Sequence, residues 1–402
     1  MKKRIVSTVL AAAMAASMLA GCGSSAKETT AAPAGKEAQA DDTTAAEGGK
    51  EEAAEAVSDG GSASGEPLKI VYLCNGNLGD KGFNDSAASG MQLLADKMGA
   101  EVKTIEMGRD ETSYEGNYLD VSEQDWDMIV SGTWSVKELA QDIAAEFPDK
   151  NYLIFDASVD RDVVTEGNMM GVNYYSNQAA FLSGVLAAKM LDSGDAKIDS
   201  SKKILGFVGS MDTSNINDFL VGYLEGIQYV DPEIKVVTSY VGSFEDVSKC
   251  MEMTTQLYNQ GAQVVYAPAS QSILGAVTAA QKTDKYLIAC DQDLYSELKD
   301  SDPDLAANVI SSSLKNVGES IYTSVKGWSE GTMTLDQDYI LGLDSGAVGL
   351  AKNENYTGIV PEDIQKFIEE TEQKIINGDI TVGTAFDMST EDVAALRDGM
   401  KP

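Results

Sequence analysis

At 402 residues, with 43% hydrophobic side chains, the chain has room for two domains with cores of their own and is too apolar to be disordered throughout. Thirty Lys and Arg against 64 Asp and Glu give a formal charge of −34, which repels nucleic acid and anionic lipid headgroups and excludes both as principal partners. There is no histidine, which removes Ser-His-Asp and Cys-His catalysis and histidine-ligated zinc together.

The chain opens on a short basic region, "MKKR", followed by the apolar "IVSTVLAAAMAASMLA". That run is short for a membrane span and has the flanks of a secretory signal. It leads into "LAGC", Leu19 to Cys22, which matches the bacterial lipobox. Residues 1–21 are therefore expected to be a lipoprotein signal peptide, and Cys22 the acylated (palmitate-bearing) anchor. Each buried CH₂ of such a chain contributes about 0.8 kcal/mol to membrane attachment. Residues 22–66, rich in Ala, Gly, Ser, Thr and acidic side chains, cannot bury enough surface to offset chain entropy and read as a disordered acidic tether. The expectation is a protein anchored to the cell membrane, facing the extracytoplasmic side, otherwise soluble and monomeric. Beyond Cys22 there are three cysteines, Cys74, Cys250 and Cys290, an odd count that reads as small buried hydrophobes.

From Pro67 the pattern changes to short apolar strands alternating with helical segments. The strands read "LKIVYLC", "EVKTIEM", "DMIVSG", "NYLIFDA" and "MMGVNYY". After the helix "NQAAFLSGVLAAKMLDSG" come "KILGFVGS", "IKVVTSYVG", "AQVVYAPAS" and "KYLIACD". Segments between them, such as "SVKELAQDIAAEF" and "INDFLVGYLEGIQYV", carry apolar residues at helical spacing. Alternating βαβ units predict parallel sheets covered by helices on both faces. The alternation restarts near Lys202, so the chain is expected to form two doubly wound lobes.

In open α/β sheets, ligands bind beyond the carboxyl ends of the strands. The first such loop, within "LCNGNLGDKGFNDSAASG", concentrates Asn, Asp, Lys and Gly before a helix start. Helix capping needs one of those polar residues; the surplus points to a ligand loop, with Asp80, Phe83 and Asn84 as candidates. Other strand ends offer Trp134 in "SGTWS", Asp156 in "LIFDA", Gly209 and Ser210 in "GFVGSMD", Tyr266 in "VVYAPAS", and Asp291 and Asp293 in "LIACDQD". Each taken singly reads as a cap or core-edge residue. Their recurrence at the strand ends of both lobes argues for a binding cleft.

These blocks together resemble the basic membrane protein family of bacterial substrate-binding lipoproteins, whose best-known members are purine nucleoside receptors of ABC importers. "DKGFNDSAASG" is similar to the family's Asp-Lys-Ser-Phe-Asn motif and the helix after it. "DMIVSGTW", "FPDKNYLIFDA", "NQAAFLSGVLAAKM", "LGFVGSMD", "CDQD" and "VISSSLKNVGESIY" follow in family order. The resemblance implies a type I periplasmic-binding-protein fold: two Rossmann-like, doubly wound lobes joined by a three-crossover hinge. It places residues 67–173 and 315–338 in lobe one, and 174–314 and 339–402 in lobe two. It also implies that Asp80 and Asn84 contact a base, that Asp156 adds a contact from lobe one, and that Asp291 and Lys315 hold a sugar. Hydrogen bonds of that charged kind contribute about 1.5–3 kcal/mol each.

Two departures from the family pattern stand out. Ala88 occupies the expected position of a stacking aromatic residue, and "ASQSILG", Ala269 to Gly275, replaces a glycine-rich segment. Trp134 and Tyr266 are the candidate replacement rings. The implied function is capture of a small solute, foremost a purine nucleoside, by lobe closure, and its delivery to an ABC permease without a cofactor. A sugar or other small polar ligand is the alternative, as is a sensory or adhesive lipoprotein without transport. An enzyme using Asp156 and Asp291 as an acid/base pair is a remote third, because two mobile lobes do not hold such a pair at fixed separation.

Overall fold

The computed structural model describes residues 66–79 and 82–402. The signal peptide, Cys22, the tether up to residue 65 and Asp80 lie outside the described residues. In chain order the first lobe runs β1 (Lys69–Cys74), α1 (Phe83–Met98), β2 (Glu101–Glu106), α2 (Tyr114–Ser122), β3 (Met128–Gly132), α3 (Lys137–Glu146), β4 (Tyr152–Phe155) and β5 (Met169–Tyr174). The second runs α4 (Ser176–Met190), β6 (Ile204–Gly209), α5 (Ser214–Val230), β7 (Lys235–Tyr240), α6 (Val247–Asn259), β8 (Val264–Tyr266), α7 (Ile273–Thr283) and β9 (Tyr286–Asp291). Two short helices, α8 (Leu294–Leu298) and α9 (Pro303–Ala306), lead into β10 (Val309–Lys315). The chain then returns to lobe one as α10 (Val317–Ser329) and β11 (Asp338–Leu341). It finishes in lobe two as β12 (Val348–Leu350), α11 (Glu354–Ile359), α12 (Glu362–Ile376) and α13 (Thr390–Gly399).

The two sheets repeat one topology. Their strand orders are β2-β1-β3-β4-β5-β11 and β7-β6-β8-β9-β10-β12. All neighbours are parallel except the antiparallel edge strand β12. The central strands are buried on both faces, which is why "KIVYLC" and "YLIACD" read as near-continuous apolar runs. In each sheet the order of strand addition reverses at the first and third strands, and a ligand crevice belongs at that switch point. Helix α4 is buried nearly all round, against α5 and α12. Its contact with α5 is close because a Cβ on Gly222 would stand 2.1 Å from the Asn177 carbonyl and one on Gly226 2.1 Å from that of Phe181. Cys74, Cys250 and Cys290 are unbridged and buried, as their placement in apolar runs predicts.

Three crossovers join the lobes, and they lie side by side: the Tyr175 N–H bonds the Leu341 carbonyl at 2.9 Å, and the Asn316 N–H bonds that of Ala347 at 2.8 Å. The lobe boundaries differ from expectation by one to three residues. Tyr174 ends a lobe-one strand, Lys315 pairs with Val348 inside the lobe-two sheet, and Tyr339–Leu341 pair with β5 in lobe one. The last shift has a tertiary cause. Asp338 accepts from the Arg161 guanidinium at 2.5 Å and from the Val159 N–H at 3.0 Å, which docks β11 on the lobe-one edge. Among the described residues no helix is long and apolar enough to cross a membrane.

Candidate functional site

A cavity of about 460 Å³ lies between the carboxyl ends of the two sheets and is lined by residues of both lobes. Lobe one contributes the loop after β1 and the start of α1. The Asn75 amide reaches across the switch point to Thr133 Oγ1 and Ser135 Oγ, both at 3.2 Å, and those hydroxyls bond each other at 2.8 Å. Leu78 N–H and Gly79 N–H donate to Glu106 and Asp85, so the middle of the loop is tied to the end of β2 and to the first turn of α1. Gly82 caps α1 without a side-chain bond, which leaves Asn84 to face the cavity rather than cap the helix.

The backbone carries strain where it meets the cavity. Among the described residues five non-glycine positions have positive φ, and four of them line the cleft: Thr133 (103°), Asp156 (58°), Ser270 (51°) and Asp291 (71°). These follow or close the third and fourth strands of each sheet. A β-branched residue such as Thr133 pays heavily for that conformation, which persists only where surrounding structure enforces it.

Lys315 sits at the centre. Its side chain is 8% exposed, and its Nζ lies 3.0 Å from Asp156 Oδ1 across the two lobes. Burial opposes its charge, yet Asp156 and then Asp291 outweigh burial and hold the ammonium above the ordinary lysine value. The ammonium also stands 5.4 Å from the Phe219 ring, 5.5 Å from Tyr174 and 5.8 Å from Phe83, within cation–π range of all three. Five rings line the cavity: Phe83, Tyr114 and Trp134 from lobe one, Phe219 and Phe244 from lobe two. Trp134 is 55% exposed, which puts it at the mouth. Burial pushes the Cys290 thiol well up, so it lines the cavity as an inert neutral group.

Of the residues singled out from the sequence, Phe83, Asn84, Trp134, Asp156, Asp291 and Lys315 are brought together at the cleft. Gly209, Ser210 and Tyr266 are not. Tyr266 is fully buried, its hydroxyl bonded to Ser313 Oγ at 2.7 Å and its ring packed on Tyr223 and Phe207, so it is a core residue and not a cleft platform. Gly209 lies under Ile216 and Tyr240, and Ser210 is buried with its N–H on the Pro268 carbonyl. Asp293 caps α8 instead. Ala88 is half-buried on α1 and does not line the cavity, so the ring that α1 offers is Phe83.

Sequence reasoning missed Arg109, Tyr114, Asn215, Phe219, Phe244 and Gln271. Phe219 hides in a helical apolar pattern, where it reads as core. Arg109 and Tyr114 lie in "GRDETSYEG", a polar stretch with no motif.

The family described as ABC transporter substrate-binding protein PnrA-like (Bmp) matches residues 68–385. The chain belongs to that family. Basic membrane protein A2 of Borrelia garinii subsp. bavariensis is 27% identical over 327 residues, covering 80% of this chain and 90% of that protein. Basic membrane protein B of Borreliella afzelii is 30% identical over 329 residues, 78% of this chain and 87% of its own. Among solved structures, an ABC transporter solute-binding protein from Aeropyrum pernix K1 superposes with a TM-score of 0.66 at 25% identity, over 83% of this chain and 98% of that one. The arabinose-binding protein AraP of Geobacillus stearothermophilus has a TM-score of 0.56 at 11% identity over 74% and 100%, a likeness of fold alone. The Bmp/PnrA-like chain described here is thus a member of a solute-binding protein family with the type I periplasmic-binding architecture, and its cleft lies at the switch points of both sheets.

Proposed function

We propose that the protein captures a purine nucleoside between its lobes and passes it, chemically unchanged, to the permease of an ABC importer. The observation that carries this reading is the pairing of rings with a fixed charge cluster: Phe83 and Phe219, one from each lobe, both stand within 6 Å of the same Lys315 ammonium. Rings at a cleft give a flat base surfaces to stack on, each stack contributing about 1–3 kcal/mol. Asn84 and Asp80 are assigned to the base edge, and Asp156, Asp291 and Lys315 to ribose hydroxyls, which pair well with an acceptor and a cationic donor. Among the described residues, the two cations that line the cavity are matched by carboxylates, Lys315 by Asp156 and Arg109 by Glu245, which favours an unphosphorylated ligand.

Because the lining comes from both lobes, ligand contacts favour the closed arrangement, the one a permease would recognise. Cys22 is proposed as the lipid anchor, holding a monomer on the extracytoplasmic face of the cell membrane. The test is thermal unfolding of the protein, stripped of co-purified ligand, against inosine, adenosine, guanosine, nucleobases and sugars. A nucleoside at 100 times its dissociation constant should add about 2.7 kcal/mol to stability. A shift with a sugar and none with any nucleoside overturns the nucleoside assignment.

A further inference from the structure

The mouth of the cleft carries a cross-lobe contact separate from the hinge. Gly108, at a φ of +71°, turns the chain out of β2, and its N–H bonds the Gly76 carbonyl at 3.0 Å. The Tyr114 hydroxyl donates to the Gly108 carbonyl at 2.7 Å, fixing the turn from the other side. Arg109, next in the chain, reaches into lobe two, where its guanidinium pairs with Glu245 and donates to Gln271 Oε1 at 3.3 Å. The receiving side is a single unit. The Ser272 N–H bonds the Phe244 carbonyl at 2.9 Å and so ties the Glu245 loop to the turn that bears Gln271. That turn starts from Ser270, one of the strained positive-φ positions. Each partner is thus pre-positioned within its own lobe, and little ordering remains to be done when they meet.

About half of each side chain in the Arg109–Glu245 pair remains in water, so the pair is weak and sensitive to salt. A contact that must open each time solute enters or leaves is suited to that strength. It is also planar, two-pronged and borne on short, tied loops, which makes it specific to one lobe arrangement.

We propose that Arg109 is a mouth latch: seated between Glu245 and Gln271, it biases the lobes toward closure before any ligand is held and lengthens ligand residence afterwards. Only the second half of this rests on the cleft being a nucleoside site. The test therefore has two readouts on the full chain, with Arg109→Glu, Glu245→Arg and the double swap. Hydrogen exchange of segments 75–79 and 268–272 in ligand-free protein reads the resting bias. Release of inosine, followed by rapid mixing, reads residence. Each single reversal should raise exchange and speed release by at least about twofold, the scale of an exposed pair, and the swap should restore both. Wild-type-like exchange in the single variants, or a swap no better than either, overturns the latch. If wild-type protein holds no inosine, residence is read with adenosine or guanosine; if it holds none of the three, the nucleoside reading fails and the exchange readout alone decides the latch.

Discussion

The two lobes solve the same positional problem with the same strand ends and different loops. In both, the third strand is followed by a hydroxyl residue at positive φ, Thr133 in one and Ser270 in the other. In both, the fourth strand ends in an aspartate at positive φ, Asp156 and Asp291, and both aspartates act on Lys315. The first strands differ. Lobe one follows β1 with a polar loop whose Asn75 joins Thr133 and Ser135 at the cleft. Lobe two buries the matching Ser210 and offers side chains of α5 instead, Asn215, Ile216 and Phe219. Past its first strand, lobe one thus brings fixed polar groups to the cleft, where lobe two brings an apolar ring from the helix that follows.

The most damaging way to break this symmetry is Lys315→Met. Two carboxylates would lose the cation they share, and removal of one partner from a buried ion pair costs about 3–5 kcal/mol. Calorimetry should show binding lost and thermal unfolding should show the fold weakened. The pH dependence follows from the sign of the shift. A lysine held above its ordinary value contributes fully below the unfolded pKa and loses that contribution only as pH rises through the folded one. The stability gap between wild type and Lys315→Met should therefore stay flat from pH 7 to 9; a gap that closes within that window would mean the ammonium is not held as described.

Next in size are Asp156→Asn and Asp291→Asn, which keep a side chain tolerant of positive φ while removing charge. If the pseudo-equivalent aspartates serve the same ligand, each should weaken nucleoside binding about 10- to 100-fold, the scale of a charged hydrogen bond. An effect from one alone would show that the repeat in backbone is not a repeat in function. Phe83→Ala and Phe219→Ala sharpen the comparison between lobes. Each should cost about 1–3 kcal/mol of affinity for a flat ligand and little for a sugar, read by titration calorimetry. The smallest effect is assigned to Tyr266→Phe, which removes a bond to Ser313 deep in lobe two. Stability should fall by about 0.5–1.5 kcal/mol with affinity unchanged; a large loss of affinity would return Tyr266 to the site.

Much of the fold was legible because doubly wound lobes write themselves as alternating apolar strands and amphipathic helices. The site was legible only in part. Asp156 and Asp291 stood out because each ends an apolar strand with a charge. Phe219 did not, since an aromatic residue in the first turns of a helix looks the same whether it faces a core or a cleft. Arg109 gave no signal either, as its partners Glu245 and Gln271 lie more than a hundred residues away in sequence.

From the sequence alone one could conclude that there are two lobes, that their strand tips face a common crevice, and that polar groups gather there. Which tip residues turn into the crevice was decided by tertiary structure. Tyr266 still belongs to the ladder of β8, so the alternation of the strand directs its ring onto the sheet face and into the core. Trp134 lies two residues past the end of β3, free of that alternation, and stands at the mouth. Asp291 closes β9 yet reaches the cleft, because its positive φ lifts it out of the pleat. That conformation is held by the surrounding lobes and costs too much for local sequence to select by itself.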